Sequence, residues 1–249
     1  VPIANPDRDN TLIVDGKGKF AMPGLIDAHY HAMFASLSQL VLLTSNIGFV
    51  NLAAGKNAEN LLMSGFTSIR DLGGPVFGLK QAIDRGVIPG PRIWPSGAFI
   101  SQTGGHGDFR MPTDVPADPG RGLSYAERIN AAAIADSPDA VRVKAREQLM
   151  LGASQIKLMA GGGVSSIYDP LDVTQYTEAE IRAAVEAAEN WGTYVTVHAY
   201  TPRAIQQAIR AGVQCIDHGQ LIDEETVQMM VERNVAWSLQ PFIDEGDKG

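Results

Sequence analysis

The sequence lacks the features on which several classes of protein depend. It has one cysteine, Cys215, so an internal disulfide is excluded and a cysteine-rich structural zinc site is not expected. No apolar run approaches the roughly 20 residues that a membrane-spanning helix needs. The 20 Lys and Arg residues are outnumbered by 28 Asp and Glu and form no cluster, which argues against nucleic-acid binding. We therefore expect a soluble protein that handles small molecules, with the compartment, cytoplasmic or exported, left open.

The N-terminal residues also lack a targeting signal. The stretch VPIANPDRDN has no initiator Met, no basic region and no apolar core, so it does not predict a signal peptide. We interpret the chain as starting inside a longer sequence, whose first part could have carried such a signal.

Apolar strands alternate with amphipathic helices along the 249 residues, which is the pattern of a parallel α/β fold. Strand regions are predicted at 21–31, 63–74, 90–101, 152–163, 192–200, 212–220 and 234–242. Helices are predicted at 123–151, broken near Pro138, and at 177–191, 201–211 and 223–233. Thr177 is a suitable N-cap, and Glu178 and Glu180 suit the positive end of a helix dipole. A doubly wound sheet and a (β/α)8 barrel would both show this order.

The histidines of the chain concentrate where a (β/α)8 barrel keeps its chemistry, at the C-terminal ends of the strands. His29 and His31 end the first predicted strand and share one face, because side chains alternate along a strand. His198 and His218 end the fifth and sixth strands, and His106 follows the third. Imidazole nitrogen suits zinc and its neighbours, whereas magnesium and calcium prefer oxygen ligands. One such histidine alone would more often be structural, but the set indicates an open catalytic metal site.

Lys157 lies inside the apolar fourth strand, in QIKLMA. A lysine that points into a protein interior is costly unless it is paired or neutralised. One interpretation is a surface lysine whose stem lies along the strand. The other is a lysine of depressed pKa that reacts with CO2, so that its carbamate can bridge two metal ions. The residues by themselves leave both open.

Taken in order, PGLIDAHYH, the lysine in QIKLMAGGG, VHAY and DHG resemble the amidohydrolase superfamily of metal-dependent hydrolases over nearly the whole chain. With TGGHGD they are most similar to the dipeptidases and carboxypeptidases that cleave Xaa-Pro or Xaa-Arg, and to the ochratoxin-type amide hydrolases. The stretch NTLIVDGKGKF is similar to the last strands of the family's β-sandwich. The resemblance implies an α/β fold with a (β/α)8 TIM-type barrel over residues 21–249, and a sandwich remnant over residues 1–20.

The resemblance also implies a metal centre with two divalent ions, expected to be zinc. His29 and His31 would bind the more buried ion, and His198 and His218 the more exposed one. Lys157, as its carbamate, would bridge both. The two ions would lower the pKa of a bridging water, so that hydroxide is available near neutral pH to attack an amide carbonyl.

Two further residues are implied as substrate contacts. By the resemblance, His106 and Tyr200 polarise the scissile carbonyl or hold a terminal carboxylate. Without the resemblance, His106 is a hydrogen-bond donor in a loop and Tyr200 is an aromatic residue at the rim.

The sequence departs from the family at the proton shuttle, an aspartate that ends the eighth strand. Seven strands are predicted, and the chain ends at FIDEGDKG just past the seventh. Asp244 and Asp247 lie in that tail and are poor substitutes, while Asp27 and Asp71 belong to the first two strands. We therefore expect a barrel truncated after strand 7, and the catalytic acid stays unknown.

The function predicted is a binuclear, dipeptidase-like amide hydrolase that acts on a dipeptide or an N-acyl amino acid. The stretch 99–123 is expected to form a pocket wall or a lid. One alternative is a cyclic-amide, imidazolone-type hydrolase of the same superfamily, and another is an inactive fragment that needs a complementing chain. The expected partner is a small-molecule substrate, with no nucleic acid and no membrane, and a homo-oligomer is allowed.

Overall fold

The computed structural model describes residues 14–115, 122–166 and 168–240, and these residues form nine β-strands and eight α-helices. The strands are β1 (Leu25–Tyr30), β2 (Phe66–Asp71), β3 (Arg92–Pro95), β4 (Phe99–Ser101), β5 (Ala132–Ile134), β6 (Ile156–Met159), β7 (Val195–Ala199), β8 (Cys215–His218) and β9 (Ala236–Ser238). The helices are α1 (Gln39–Thr44), α2 (Ile47–Met63), α3 (Phe77–Asp84), α4 (Tyr125–Arg128), α5 (Pro138–Leu151), α6 (Glu178–Trp191), α7 (Pro202–Arg210) and α8 (Glu224–Glu232).

All paired strands are parallel and belong to two sheets, ordered β1-β2-β3 and β5-β4-β6-β7-β8-β9. Only residues 96–98 separate β3 from β4, and Gly97 adopts a φ of +72° there, so one strand path bends from the first sheet into the second. The sheets share an interior, because Arg70 of β2 reaches Asp217 of β8 with 2.6 Å between Nη2 and Oδ1. The result is a curved, parallel α/β arrangement in which the C-terminal ends of the strands lie on one side.

The structure confirms the predicted strand regions in outline and corrects one strand region and one helical region. The region 90–101 contains two strands in different sheets rather than one. The prediction of a helical region over 123–151, broken near Pro138, was wrong at residues 132–134, where β5 lies between α4 and α5. The alanines of β5 favour a helix locally, but Phe99 of β4 pairs with Ala132 and supplies the ladder that makes the segment a strand. Residues 1–13 of the predicted sandwich remnant lie outside the described residues.

Helix ends follow local sequence closely. The predicted N-cap of α6 is confirmed, since Thr177 and Glu180 form a capping box with 2.7 Å between Thr177 N and Glu180 Oε2. The helix ends at Gly192, whose φ of +79° is a left-handed conformation that glycine adopts at little cost. Among the described helices, none combines the length and apolar character that would let it cross a membrane.

The helices cover the outside of the second sheet and leave its inside to polar side chains. Ile156 and Leu158 of β6 are fully buried in the cluster that packs against α5, α6 and α7. Lys157 lies between them in sequence and therefore faces the interior. A second cluster, which includes Val50, Ala54 and Ile69, packs α2 against the first sheet. The outer face thus supplies apolar packing, while the inner face holds the polar groups.

The bend between β3 and β4 is held by one buried amide. Gln148 of α5 is 1% exposed, and its Oε1 accepts from Ala98 N at 2.9 Å. It also forms a reciprocal amide pair with Asn130, with 2.9 Å from Asn130 Nδ2 to Gln148 Oε1 and 3.0 Å from Gln148 Nε2 to Asn130 Oδ1. This side chain therefore ties α5 to the strand path and to the turn before β5.

We expect Gln148→Ala to lower the free energy of unfolding by about 2 kcal/mol, because the buried Ala98 N–H loses its acceptor. Urea denaturation measures this change. Gln228→Ala is the matched control, since Gln228 is exposed on α8 and its side chain donates to Glu232 Oε1 at 3.1 Å. Equal effects of the two substitutions would contradict the role assigned to Gln148.

Candidate active site

Four histidines from three strand ends meet on the C-terminal side of the sheets. His29 lies on β1, His31 follows it, His198 lies on β7 and His218 ends β8. Their ring centroids are 5.3 Å apart for His29 and His31, 4.6 Å for His29 and His218, and 4.5 Å for His198 and His218. The structure therefore brings the predicted histidines into one continuous cluster.

His218 reaches this cluster through its backbone conformation. Ile216, two residues earlier, packs in the core outside the sheet, and strict alternation would send His218 the same way. His218 instead has a φ of +74°, a left-handed conformation that costs a non-glycine residue about 1–3 kcal/mol. Its carbonyl accepts a hydrogen bond from Trp237 Nε1 at 2.8 Å, which holds the strained backbone in place.

Lys157 is buried beneath the histidines and is paired with a carboxylate that the sequence analysis missed. Lys157 is 1% exposed, and its Nζ donates to Asp217 Oδ2 at 2.5 Å. Asp217 also accepts from Arg70 Nη2 at 2.6 Å and from Thr196 Oγ1 at 2.7 Å. The sequence signal was the cost of a buried lysine, which requires a partner. Only the fold shows that Asp217 is that partner.

The charges in this network depend on one another. Burial alone would raise the pKa of Asp217, but Lys157, His29 and Arg70 hold it well below its usual range. Burial lowers the pKa of Lys157, and the negative charge of Asp217 opposes that shift. Asp217 is therefore an anion at neutral pH, and it compensates the cations that surround it.

The imidazoles of the cluster are neutral at physiological pH. Burial, with a further contribution from the nearby charge of Lys157, lowers the pKa of His31 and of His218 to about 3. Burial likewise lowers the pKa of His29, and it lowers that of His198 well below its usual value. A neutral imidazole keeps one nitrogen lone pair, which is the form that binds a metal ion.

Hydrogen bonds identify the bare nitrogen on two of the rings. His198 Nε2 lies 2.9 Å from the carbonyl oxygen of Gly162, so Nε2 carries the proton and Nδ1 is bare. His218 Nδ1 lies 2.6 Å from Gln240 Oε1, so Nδ1 carries the proton and Nε2 is bare. Such contacts orient imidazole ligands in metal sites.

The imidazole nitrogens of the cluster are of the type that binds a divalent ion, but the described side chains are not positioned as a formed metal site. The Nδ1 atoms of His29 and His31 are buried, and no group in the described part of the chain forms a hydrogen bond with them. His29 Nδ1 is 3.4 Å from Asp217 Oδ1 but lacks hydrogen-bond geometry. Nevertheless, no three His, Cys, Asp or Glu side chains within residues 14–115, 122–166 and 168–240 are placed so that they could hold a metal ion. Neutral imidazole nitrogens are ligands that suit zinc and neighbouring transition-metal ions.

The two predicted substrate contacts also lie against the cluster. The His106 ring stacks on His198 with centroids 3.9 Å apart and 12° between the planes. Tyr200 packs edge-on to His198 at 5.1 Å and lies 5.2 Å from the His218 ring. Burial raises the pKa of Tyr200, so its phenol keeps its proton and can donate a hydrogen bond. All seven site residues predicted from the sequence are therefore brought together.

His106 is oriented by Asp169, a second carboxylate that sequence reasoning did not find. His106 Nδ1 is 3.3 Å from Asp169 Oδ2, and Asp169 also accepts from Gly163 N at 3.0 Å and from Gln175 Nε2 at 3.1 Å. His106 Nδ1 also lies 3.0 Å from Ser166 Oγ, whose hydroxyl donates to Asp169 and is therefore an acceptor towards the ring. Because the carboxylate can only accept, His106 donates from Nδ1 and leaves Nε2 without a proton beside Ser165 Oγ, 3.4 Å away. Burial lowers the pKa of His106 although Asp169 opposes the shift. The ring is thus a neutral proton acceptor at Nε2.

The other aspartates that the sequence analysis considered support the backbone. Asp27 Oδ1 accepts from His29 N at 2.9 Å, and Asp71 Oδ2 accepts from Ala32 N at 2.6 Å. They hold the end of β1 rather than face the cluster. Asp244 and Asp247 lie outside the described residues, as do residues 116–121 of the predicted lid.

Comparison with known proteins gives a match to one family and to proteins of known name. A model of the Amidohydrolase family matches residues 20–245. Ochratoxinase from Aspergillus niger is 33% identical over 228 residues, which cover 87% of this chain and 46% of that protein. The chain spans about half the length of the relatives that it matches.

Solved structures with a similar fold cover most of this chain. A prolidase complexed with N-methylphosphonate-L-proline is 43% identical, with a TM-score of 0.86 over 95% of this chain and 57% of that one. A Xaa-Pro dipeptidase with methionine bound in its active site is 30% identical, with a TM-score of 0.72 over 86% of this chain and 52% of that one. The parallel α/β architecture is therefore of the TIM-barrel type.

The lowered histidine pKa values predict how the stability of the metal-free protein depends on pH. His31 has a pKa of about 3 when folded and about 6.5 when unfolded, so the unfolded chain takes up a proton as the pH falls below 6.5. His31 therefore lowers the free energy of unfolding by roughly 2 kcal/mol between pH 7 and pH 5. His31→Gln should remove that loss, as measured by urea denaturation at both pH values.

The pH dependence of the wild-type chain alone does not isolate His31, because Asp71 changes the free energy of unfolding in the opposite direction. The wild-type chain is therefore compared with His31→Gln. Burial raises the pKa of Asp71 to about 7, so its contribution to stability falls as the pH rises from about 4 to 7. Phe34→Leu is the control, because it alters the contact with His31 but removes no titrating group. A His31→Gln effect that is the same at pH 5 and pH 7 would refute the assignment.

We expect Asp169→Asn to reverse the tautomer of His106. The asparagine amide can donate to Nδ1, which then loses its proton to Nε2. The 15N chemical shifts of the His106 ring report this exchange directly. Asp172→Asn, at an exposed position of the same loop, should leave those shifts unchanged. An unchanged tautomer in Asp169→Asn would show that Asp169 does not orient the ring.

Proposed function

This chain belongs to the Amidohydrolase family, and from that premise we propose that it is a binuclear metal-dependent amide or peptide hydrolase. One observation carries the proposal. Four neutral imidazoles and one buried lysine lie together where parallel strands end, and two buried Nδ1 atoms there have no hydrogen-bond partner among the described residues. Residues 21–249 form the catalytic barrel domain in this proposal.

We propose His29, His31, His198 and His218 as the histidine ligands of two divalent ions, with zinc as the preferred metal. The proposal is supported by their neutral state and by the hydrogen bonds that orient His198 and His218. When bound, the two ions would supply an activated water at neutral pH and polarise the scissile carbonyl.

Lys157 would serve as the bridging ligand after it forms a carbamate. Its Nζ lone pair would bond to the carbon of CO2, and one N–H proton would leave to solvent. Burial supports this step, because it lowers the pKa of Lys157 and so favours the neutral amine. Loss of the ammonium charge would also free Asp217, which would keep Arg70 and Thr196 as hydrogen-bond donors.

We assign the proton transfers to His106. Its bare Nε2 can take a proton as water attacks the amide carbon, and the same Nε2–H can then protonate the departing amine nitrogen. Asp169 would stabilise the imidazolium that forms between these steps. This role replaces polarisation of the carbonyl, because neutral His106 with its proton on Nδ1 has no donor at Nε2.

Tyr200 is the hydrogen-bond donor in this scheme. Its protonated phenol would bind the carbonyl oxygen or the terminal carboxylate of the substrate. The substrate class that we propose is a dipeptide or an N-acyl amino acid, which is supported by the prolidase, dipeptidase and ochratoxinase names of the relatives. No contact in the described part of the chain favours a cyclic amide over an open one.

We expect the purified 249-residue chain to take up about two zinc ions and then to hydrolyse N-acyl amino acids, and to lose both properties with a chelator. Lys157→Ala should lower metal content to one ion or less, because the bridging ligand is gone. Elemental mass spectrometry and a hydrolysis assay measure the two properties.

Lys80→Ala is the matched control, since the Lys80 side chain forms an exposed ion pair with Asp84. It should retain the wild-type metal content and rate. Zinc uptake without hydrolysis would support the alternative of a chain that needs a complementing partner. No specific uptake by the wild-type chain would overturn the proposed metal centre.

A further inference from the structure

Ser165, which the proposed hydrolysis does not use, lies beside the unprotonated nitrogen of His106. Its Oγ is 3.4 Å from His106 Nε2, while Asp169 Oδ2 is 3.3 Å from Nδ1, the other nitrogen of the ring. The three side chains therefore follow one another in the order hydroxyl, imidazole, carboxylate. On unrelated folds, this is the order of a serine nucleophile, its general base and the group that orients the base.

The hydrogen bonds of the imidazole have the direction that proton transfer from Ser165 requires. Nδ1 donates to Ser166 Oγ at 3.0 Å and to Asp169, because Ser166 gives its own proton to Asp169 and the carboxylate can only accept. Nε2 therefore carries the lone pair, and the Ser165 hydroxyl is the donor in its contact with the ring. When Ser165 Oγ attacks a carbon atom, the acceptor for its proton is already beside it.

The His106 ring is held in one orientation by contacts on several sides. It stacks on His198 with centroids 3.9 Å apart. A Cβ atom at Gly163 would lie 2.0 Å from His106 Cε1, so the ring uses space that a larger residue would fill. The backbone N–H of His106 donates to Gln175 Oε1 at 2.9 Å, which fixes the loop that carries the ring. The base is therefore positioned before a substrate binds, which is the arrangement that favours reaction.

Ser165 is also accessible to small molecules. It is exposed, and together with His106 it lines a cavity of about 310 Å³ that opens beside the histidine cluster. Ser166, the next residue, is half-buried and donates to Asp169. The two serines therefore differ in role, since Ser165 faces the cavity and Nε2, whereas Ser166 contacts Nδ1 and the carboxylate.

We propose that Ser165, His106 and Asp169 form a second, metal-independent acyl-transfer site for activated carboxylic esters. Ser165 Oγ bonds to the carbonyl carbon while its proton passes to His106 Nε2. The bond between that carbon and the leaving oxygen then breaks, and His106 Nε2–H returns the proton to the leaving oxygen. The product is an ester of Ser165, which water hydrolyses with the same base to release the acid and restore the hydroxyl.

This activity is separate from the proposed metal-dependent hydrolysis, although both use His106 as the base. Asp169 stabilises the imidazolium that forms while His106 holds the proton. Esters with a good leaving group are the substrate class, because their leaving oxygen departs with little help from an acid, whereas an amine must be protonated first.

The covalent step can be measured on the chelator-treated 249-residue chain, with p-nitrophenyl acetate as the probe. We expect a burst of about one equivalent of p-nitrophenol per chain, and peptide mass spectrometry should locate the acetyl group on Ser165. Ser165→Ala should lower the burst rate at least about tenfold. Ser64→Ala is the matched control, since Ser64 is exposed at the end of α2 and donates to Asn60 O; its burst should equal that of the wild-type chain.

Asp169→Asn tests the orientation of the base. The reversed tautomer expected for this variant places the proton on Nε2, so the burst rate should fall at least about tenfold although Ser165 is unchanged. Asp172→Asn, at an exposed position of the same loop, should keep the wild-type rate. Circular dichroism checks that each variant is folded, and if Asp169→Asn does not fold, Ser165→Ala still decides.

Two results would overturn the proposal: equal burst rates in the wild-type chain and Ser165→Ala, or acetylation of His106 or of lysines in place of Ser165. Zinc then separates this inference from the proposed function. Acetylation of Ser165 in a chain that takes up no zinc would keep the acyl-transfer site and overturn the metal centre. Zinc uptake and amide hydrolysis with no acetyl group on Ser165 would keep the hydrolase and overturn the acyl-transfer site.

Discussion

The buried ion pair between Lys157 and Asp217 is the constraint on which the rest of the site depends. An uncompensated cation inside a parallel sheet would cost several kcal/mol, so the lysine requires a charged partner in the same interior. Asp217 can serve because β6, β7 and β8 are neighbours in one parallel sheet. The same carboxylate accepts from Arg70 on the other sheet, so the pair also joins the two sheets across the interior.

The ion pair lies close enough to the histidine cluster to influence the pKa values of its rings. Burial of the rings, and then the charge of Lys157, lower the pKa values of the four clustered histidines. His31 and His218 therefore stay neutral well below pH 7, and each ring keeps a lone pair. The strained backbone of His218 has a purpose in this setting, because without it one ring would turn away from the others. Strain at such a residue persists only where surrounding contacts hold it, and here Trp237 and Gln240 do so.

Two kinds of surface meet at the cluster. On one side, Asp169, Gln175 and Gly163 form a hydrogen-bonded support that fixes the His106 ring. On the other side, Phe34, Phe99 and Phe109 line a cavity that has no Lys, Arg, Asp or Glu among its described lining residues. The polar support determines which nitrogen of His106 holds the proton, and the cavity gives the other side of the cluster an apolar border.

The sequence by itself determined the fold class and the identity of the clustered residues. Periodic apolar segments indicated a parallel α/β fold, and strand alternation already placed His29 and His31 on one face. It could not determine β5, because its alanines become a strand only when β4 lies beside them. Nor could it show that Asp217 pairs with Lys157, that Asp169 orients His106 or that His218 is left-handed. Those features depend on contacts between residues 60 or more positions apart, or on a backbone angle held by distant side chains. Only the tertiary structure decided them, because local patterns carry no information on which distant groups share one interior.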